Sequence, residues 1–322
     1  MSYEEGEEMR EHRYTVDRHK QVRVIIDTDC DCEADDQFAV LHHLMTPKID
    51  VVGIVAEHFA DRFGEGSEES SYKEIKKVLN LAGMEDKVPV YHGCSHALQD
   101  ESTPNPSEAA EFIIQEALKD DDRALFIAGQ GALSNVASAY LMNPAIKDRL
   151  TLIWIGGGTY PNGESEFNLE NDVNAANVVF GSGMEIWQVP KNLYSKMYVP
   201  LSVLYEKVYP CGEIGKYLVE HIQDANARFL DWIKRPGYTK GAAAASYPGG
   251  EMWILGDSPT VGLIMFDERY SYHTAKAPRF HADGTYEYLE TENTIRVYDE
   301  IDREFIMDDF YAKINYYFSD EK

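Results

Sequence analysis

The stretch "VIIDTDCDCEADDQFAVLHHL" (residues 24–44) runs without a break from apolar to acidic to helical. With Val22 and Arg23 before it, its start reads as a buried strand ending near Ile26 or Asp27, and Phe38, Leu41 and Met45 mark the core face of the following helix. Between the two, Asp27, Asp29, Asp31, Glu33, Asp35 and Asp36 place six carboxylates in ten positions. Asp35 and Asp36 fall at the helix N-terminus, where the dipole and free N–H groups favour ionised acids. Asp29 with Asp31 or Glu33 remains crowded, and like charges this close raise one another's pKa unless a cation intervenes. Such hard oxygen donors suit one Ca2+, or less well Mg2+, since about 6–8 oxygens in irregular geometry favour the larger ion. The competing reading is a solvated acidic loop with a capped helix; the position directly after a well-defined strand, where loops carry function, weighs against it.

Outward from this stretch, short runs rich in Val and Ile alternate with helical periods. Strands are expected at 22–27, 50–56, 88–91, 124–128, 150–155 and 185–190, with helices at 35–45, 69–82, 107–119, 132–142 and 173–181. This alternation predicts an α/β fold with a mostly parallel open sheet covered on both faces, as continuously apolar strands require. Asp172 is the expected N-cap of the 173–181 helix. Beyond residue 200 come a long amphipathic segment, a Gly/Ala/Pro-rich loop at 236–250, a helix starting near Asp257, a hairpin in "GTYEYLETENTIRVYDEI" and a Tyr- and Phe-rich helix at 301–318. Without a repeat or composition break, residues 21–322 read as one domain behind a charged N-terminal extension, 1–20. The C-terminal third is expected at the edge of the sheet or over its C-terminal rim.

The formal charge of -26 on 322 residues opposes binding to nucleic acid or anionic membranes and leaves a neutral or cationic small ligand. No secretion signal or membrane-length apolar run is present, so the expected compartment is the cytoplasm. Four scattered cysteines fit a reducing environment; Cys30 and Cys32 lack the second ligand pair of a structural zinc site.

"DTDCDCEADDQFAV" resembles the Asp-rich signature of the inosine-uridine preferring nucleoside hydrolases. Three further segments follow in that family's order: "GQGALSNVA" (129–137), "IGGGTYPNGESEFNLENDVNAANVVF" (155–180) and "LGDSPTVGL" (255–263). The resemblance spans residues 22 to 267. It implies an open α/β sheet, a Ca2+-dependent N-ribohydrolase and a homodimer or homotetramer. Carried over by motif, Asp29 is a metal ligand and the base acting on the attacking water, with Asp36, the Gln130 carbonyl and Asp257 as further ligands. Asp35, Glu166 and Asn168 hold the ribose, and Asn162 lies toward its 5′ end.

Departures are specific. Five residues, Cys30 to Ala34, separate Asp29 from Asp35, two more than usual, so Asp31 or Glu33 could replace a ligand or face the substrate. Many members carry His before the last Asp; here the residue is Gly256. His58, His92, His96 or Trp253 could compensate in helping the base leave, although each is more often structural. Two other readings compete: a haloacid dehalogenase-type phosphatase, using Asp27 and Asp29 as its D-x-D, and a non-catalytic calcium- or sugar-binding protein of the same fold.

Overall fold

The computed structural model describes residues 9–60, 65–233 and 250–319. The strands are β1 (Val22–Thr28), β2 (Ile49–Ala56), β3 (Val90–Tyr91), β4 (Leu125–Gln130), β5 (Thr151–Ile155), β6 (Glu185–Val189), β7 (Tyr198–Pro200), β8 (Met252–Ile254), β9 (Tyr272–Lys276), β10 (Arg279–Phe280), β11 (Tyr286–Glu287) and β12 (Thr294–Tyr298). The α-helices are α1 (Asp36–Leu44), α2 (Ser67–Leu81), α3 (Glu108–Ala117), α4 (Ser134–Met142), α5 (Phe167–Asn171), α6 (Val173–Gly181), α7 (Lys191–Tyr194), α8 (Leu201–Lys207), α9 (Gly212–Ile233), α10 (Pro259–Phe266) and α11 (Arg303–Phe318).

Eight strands form one sheet in the order β3-β2-β1-β4-β5-β6-β12-β9, parallel except for the β12–β9 pair. The expected mostly parallel α/β sheet is therefore present. Its central strands are apolar throughout because alternate side chains enter two cores. From β1, Val24 and Ile26 pack with α1, α2 and α9 to α11, while Ile25 packs with α3, α4 and α6 on the opposite face.

The strand order reverses between β1 and β4, and such switch points open a crevice beyond the carboxyl ends of the strands. There Thr28 lies opposite Gln130, so the chain leaving β1 at Asp29 starts beside the end of β4. The sheet thus brings the acidic stretch and "GQGALSNVA" to one point.

The C-terminal third differs from expectation in one respect. The two halves of "GTYEYLETENTIRVYDEI" do not pair with each other: β11 pairs with β10, and β12 inserts between β6 and β9. Both arrangements fit the local alternation. Insertion buries Ile295 and Val297 in the second core and gives β12 neighbours on both sides, which a free hairpin lacks. Most of the 236–250 loop lies outside the described residues. In the N-terminal extension, Arg10 donates to the carbonyls of Tyr316 (2.9 Å) and Ser319 (2.6 Å), fastening this segment to the end of α11.

Candidate active site

Asp29 caps a tight turn: its carbonyl accepts the N–H groups of Asp31 and Cys32, both at 2.8 Å. Gln37, on α1, donates to the Cys30 carbonyl at 2.7 Å, and Thr28 donates to Asp36. These bonds shape the loop without the Pro-Gly of the usual motif, and they turn Asp29, Glu33, Asp35 and Asp36 toward a cavity at the switch point. Gln130, at the end of β4, and Asp257, between β8 and α10, complete that wall; Asn168, Glu166 and Tyr194 stand on the other.

The electrostatics on the acidic side are unfavourable as they stand. Ligand oxygens of Asp35, Asp36 and Asp257, all three buried, lie within 4.8 Å of one another. Burial, reinforced by Asp36, raises the Asp35 pKa to about 8. Burial raises Asp36 to about 7 against the opposing hydrogen bond from Thr28. Asp29 and Asp257 are pushed well above the usual carboxylate range, by burial first and then by their acidic neighbours. Among the described residues, no Lys, Arg or His lines this cavity. Two buried oxygens, Asp29 Oδ2 and Gln130 Oε1, have no hydrogen-bond partner. Buried polar atoms are normally satisfied, and buried charges are normally paired or bound to metal. An all-oxygen donor set with orphaned acceptors and no organic cation fits a hard divalent ion. The cluster of Asp35, Asp36 and Asp257 contains neither the thiolate nor the imidazole ligands that zinc prefers.

The longer loop divides its two extra acids. Asp31 turns away to α2 and α9, accepting from Ser70 and lying 3.6 Å from Arg228, whereas Glu33 lines the cavity.

On the wall opposite the aspartates, Glu166 is the N-cap of α5, and its four acceptor positions are all filled. Oε2 accepts from Gly157 N (2.8 Å) and Leu169 N (2.9 Å), and Oε1 from Asn168 N (3.2 Å) and the Tyr194 hydroxyl (2.7 Å). Asn168 donates through Nδ2 to the Ile155 carbonyl at 2.8 Å while lining the cavity. Asn162 does not reach it: this residue is exposed, and its carbonyl accepts from Tyr286 N at 3.0 Å in the turn against β11.

None of the four candidates for leaving-group assistance lines the cavity. His58 is fully buried, 2.7 Å from Ser134 Oγ, and burial lowers its pKa to about 4. His92 stacks on Tyr72 with ring centroids 3.8 Å apart and bonds Glu68. His96 pairs with the neighbouring Ser95 at the surface, and Trp253 belongs to the core. The spacing of these residues along the chain carries no information about which face of their loops they occupy. Among the described lining residues, Tyr194, at the end of the short α7, is the one outside every motif; the only signal for it was its place after a parallel strand, on the functional rim.

Asp27 supports the strand end, accepting from Asn135 Nδ2 at 2.9 Å in a buried network under the rim. It does not line the cavity, so Asp27 and Asp29 do not act as the paired D-x-D of a phosphatase.

Residues 24–307 match the family model "Inosine-uridine preferring nucleoside hydrolase". Uridine nucleosidase 1 of Arabidopsis thaliana is 29% identical over 247 residues, covering 68% of this chain and 70% of that protein. Pyrimidine-specific ribonucleoside hydrolase RihB of Escherichia coli O157:H7 is 29% identical over 49% of this chain, which spans 56% of the length of RihB. Among solved structures, a purine-preferring ribonucleoside hydrolase from Gardnerella vaginalis superposes with a TM-score of 0.71 at 18% identity, covering 91% of this chain and 98% of that one. The family match spans every wall of the cavity and all of the sheet except the first two residues of β1, and the chain belongs to the inosine-uridine preferring nucleoside hydrolase family, hydrolases that act on N-glycosyl compounds.

Proposed function

We propose that this chain is a Ca2+-dependent N-ribohydrolase that cleaves the N-glycosidic bond of a nucleoside or related ribosyl compound with water. The observation that carries the reading is the buried acidic cluster with two orphaned oxygens and, among the described residues, no basic side chain lining the cavity. Asp29, Asp36, Asp257 and Gln130 would hold the ion, which supplies positive charge that lowers the pKa of an adjacent water. Gln130 offers both the carbonyl expected from the motif and its orphaned side-chain oxygen.

Cleavage passes through an oxocarbenium-like state, and the chain's own residues divide the work. Asp29, at the mouth of the switch point, accepts the proton of the attacking water. Asp35, oriented by the N–H groups of Gly256 and Asp257, accepts from ribose hydroxyls. Asn168 hydrogen-bonds the sugar, and the surrounding carboxylates stabilise positive charge developing on the ring. No imidazole among the described residues lines the cavity, so a leaving group that departs without strong protonation suits the site best.

No described helix is long and apolar enough to cross a membrane. With the free cysteines and strong negative charge, this supports a cytoplasmic enzyme acting on a small molecule, and we propose a homodimer or homotetramer. The test is reducing-sugar release from a panel of N-ribosides, with Ca2+ and with chelator. Release that requires the metal is expected; none from any substrate under metal-replete conditions rejects the reading in favour of a sugar-binding protein.

A further inference from the structure

The sugar-side wall has an unexpected composition. A carboxylate offers about four acceptor positions, and those of Glu166 are filled by Gly157 N, Leu169 N, Asn168 N and the Tyr194 hydroxyl. With Glu166 only 2% exposed, a sugar hydroxyl could bond it only by displacing one of these donors. Tyr194 lines the same cavity, and its phenolic oxygen, having donated its proton to Glu166, keeps a lone pair.

Room for the ring comes from Gly256. A Cβ at that position would lie 3.2 Å from Tyr194 Cδ2 and 3.2 Å from Asp35 Oδ2, closer than most such contacts in proteins. A larger side chain there would press the ring away from the wall and disturb Asp35. The glycine and the tyrosine therefore form a matched pair.

We propose that Tyr194 is a specificity-determining residue: its hydroxyl, held by Glu166, accepts a hydrogen bond from one hydroxyl of the bound ribosyl group, and Gly256 admits it to the cavity. The proposal rests on the N-ribohydrolase reading for its substrate class. Glu166 then acts as a positioning residue, fixing the direction of the phenol O–H so that its lone pair faces the sugar.

The test compares wild type with Tyr194→Phe, which keeps the ring, on a ribonucleoside and its 2′-, 3′- and 5′-deoxy analogues, using Ca2+-loaded protein. Calorimetric binding of D-ribono-1,4-lactone provides a readout independent of turnover. Tyr194→Phe is expected to raise KM for the ribonucleoside about tenfold with kcat little changed, and to leave KM unaltered for the one analogue lacking the contacted hydroxyl. Unchanged KM throughout overturns the proposal. So does an equal rise for all four substrates, the mark of a brace for Glu166 alone, and so does a fall in KM, which would mean that the phenol blocks Glu166. Wild type that turns over no N-riboside but binds the lactone about tenfold better than Tyr194→Phe keeps this inference and rejects the enzymatic reading. Loss of both binding and turnover in wild type rejects both.

Discussion

Two acidic clusters sit side by side under the rim of the sheet, and they differ in how their oxygens are satisfied. In the inner one, Asn135 bonds Asp27 and the Ala56 carbonyl through Nδ2, accepts from Cys94 N, and donates its own N–H to Glu57. Asp172 accepts from Ser134 and from the backbone of Leu98 and Ala175. Its remaining orphan is Asp27 Oδ2, on a group whose pKa is raised by burial. The cavity cluster holds four buried aspartates, with Asp29 Oδ2 and the neighbouring Gln130 Oε1 orphaned. Both are buried and acidic; the second lines the cavity and the first does not. The first is tied to the strand ends by its hydrogen bonds, whereas the second presents its oxygens to the cavity, where a ligand can complete them.

The sharpest way to break this comparison is Asp29→Ala. On the proposed mechanism it lowers kcat/KM by roughly 10²–10⁴-fold, the range expected for a lost general base. Steady-state kinetics on the best N-riboside read this, with circular dichroism confirming the fold; activity within tenfold of wild type would remove Asp29 from the chemistry.

Cation removal should act through stability and depend on pH in a defined direction. The folded-state pKa values of Asp35 (about 8) and Asp36 (about 7) lie above the unfolded carboxylate value of 3.8. In metal-free protein their contribution is fully present below that value and is lost as pH rises through 7 to 8. A bound cation offsets the repulsion of the ionised forms. The gain in Tm on adding Ca2+ should therefore be small near pH 5 and reach several degrees near pH 8. A gain independent of pH would place the ion elsewhere.

Asn135→Ala probes the satisfied cluster. It removes three side-chain hydrogen bonds and leaves Asp27, the Ala56 carbonyl and Cys94 N without a partner, at a cost of about 2–4 kcal/mol in urea unfolding. Ca2+ affinity of the folded fraction should change little; a large loss of affinity with unchanged stability would reverse the assignment.

The smallest effect separates the two acids of the longer loop. Asp31→Asn touches a partly exposed ion pair worth about 0–1 kcal/mol and should leave KM within about twofold. Glu33→Gln, on the cavity wall, should move KM more. Equal effects would show that the expansion serves the turn alone.

Much of this was legible in residue order. Parallel strands covered on both faces are continuously apolar, so "VRVIID" and its successors announced the sheet, and Asp172 fell where a helix required a cap. The motif segments pointed to Asp29, Asp35, Asp36, Gln130, Asn168 and Asp257, all of which line one cavity. The histidines, Trp253 and Asn162 were misleading, because their direction depends on loop paths and neighbours distant in sequence. Pairing of the two C-terminal strands failed for the same reason, since β12 found better burial between β6 and β9 than beside β11.

The sequence by itself therefore determined the sheet, the site's position on its rim and the chemical type of its acids, because strand period, capping and charge density are local properties. Only the tertiary structure decided which acid faces the cavity, that Asp31 turns to Arg228 while Glu33 turns inward, and that four donors, Tyr194 among them, fill the acceptor positions of Glu166. Those outcomes depend on which donors arrive from elsewhere in the chain, and hydrogen-bond satisfaction in a buried site is settled by packing.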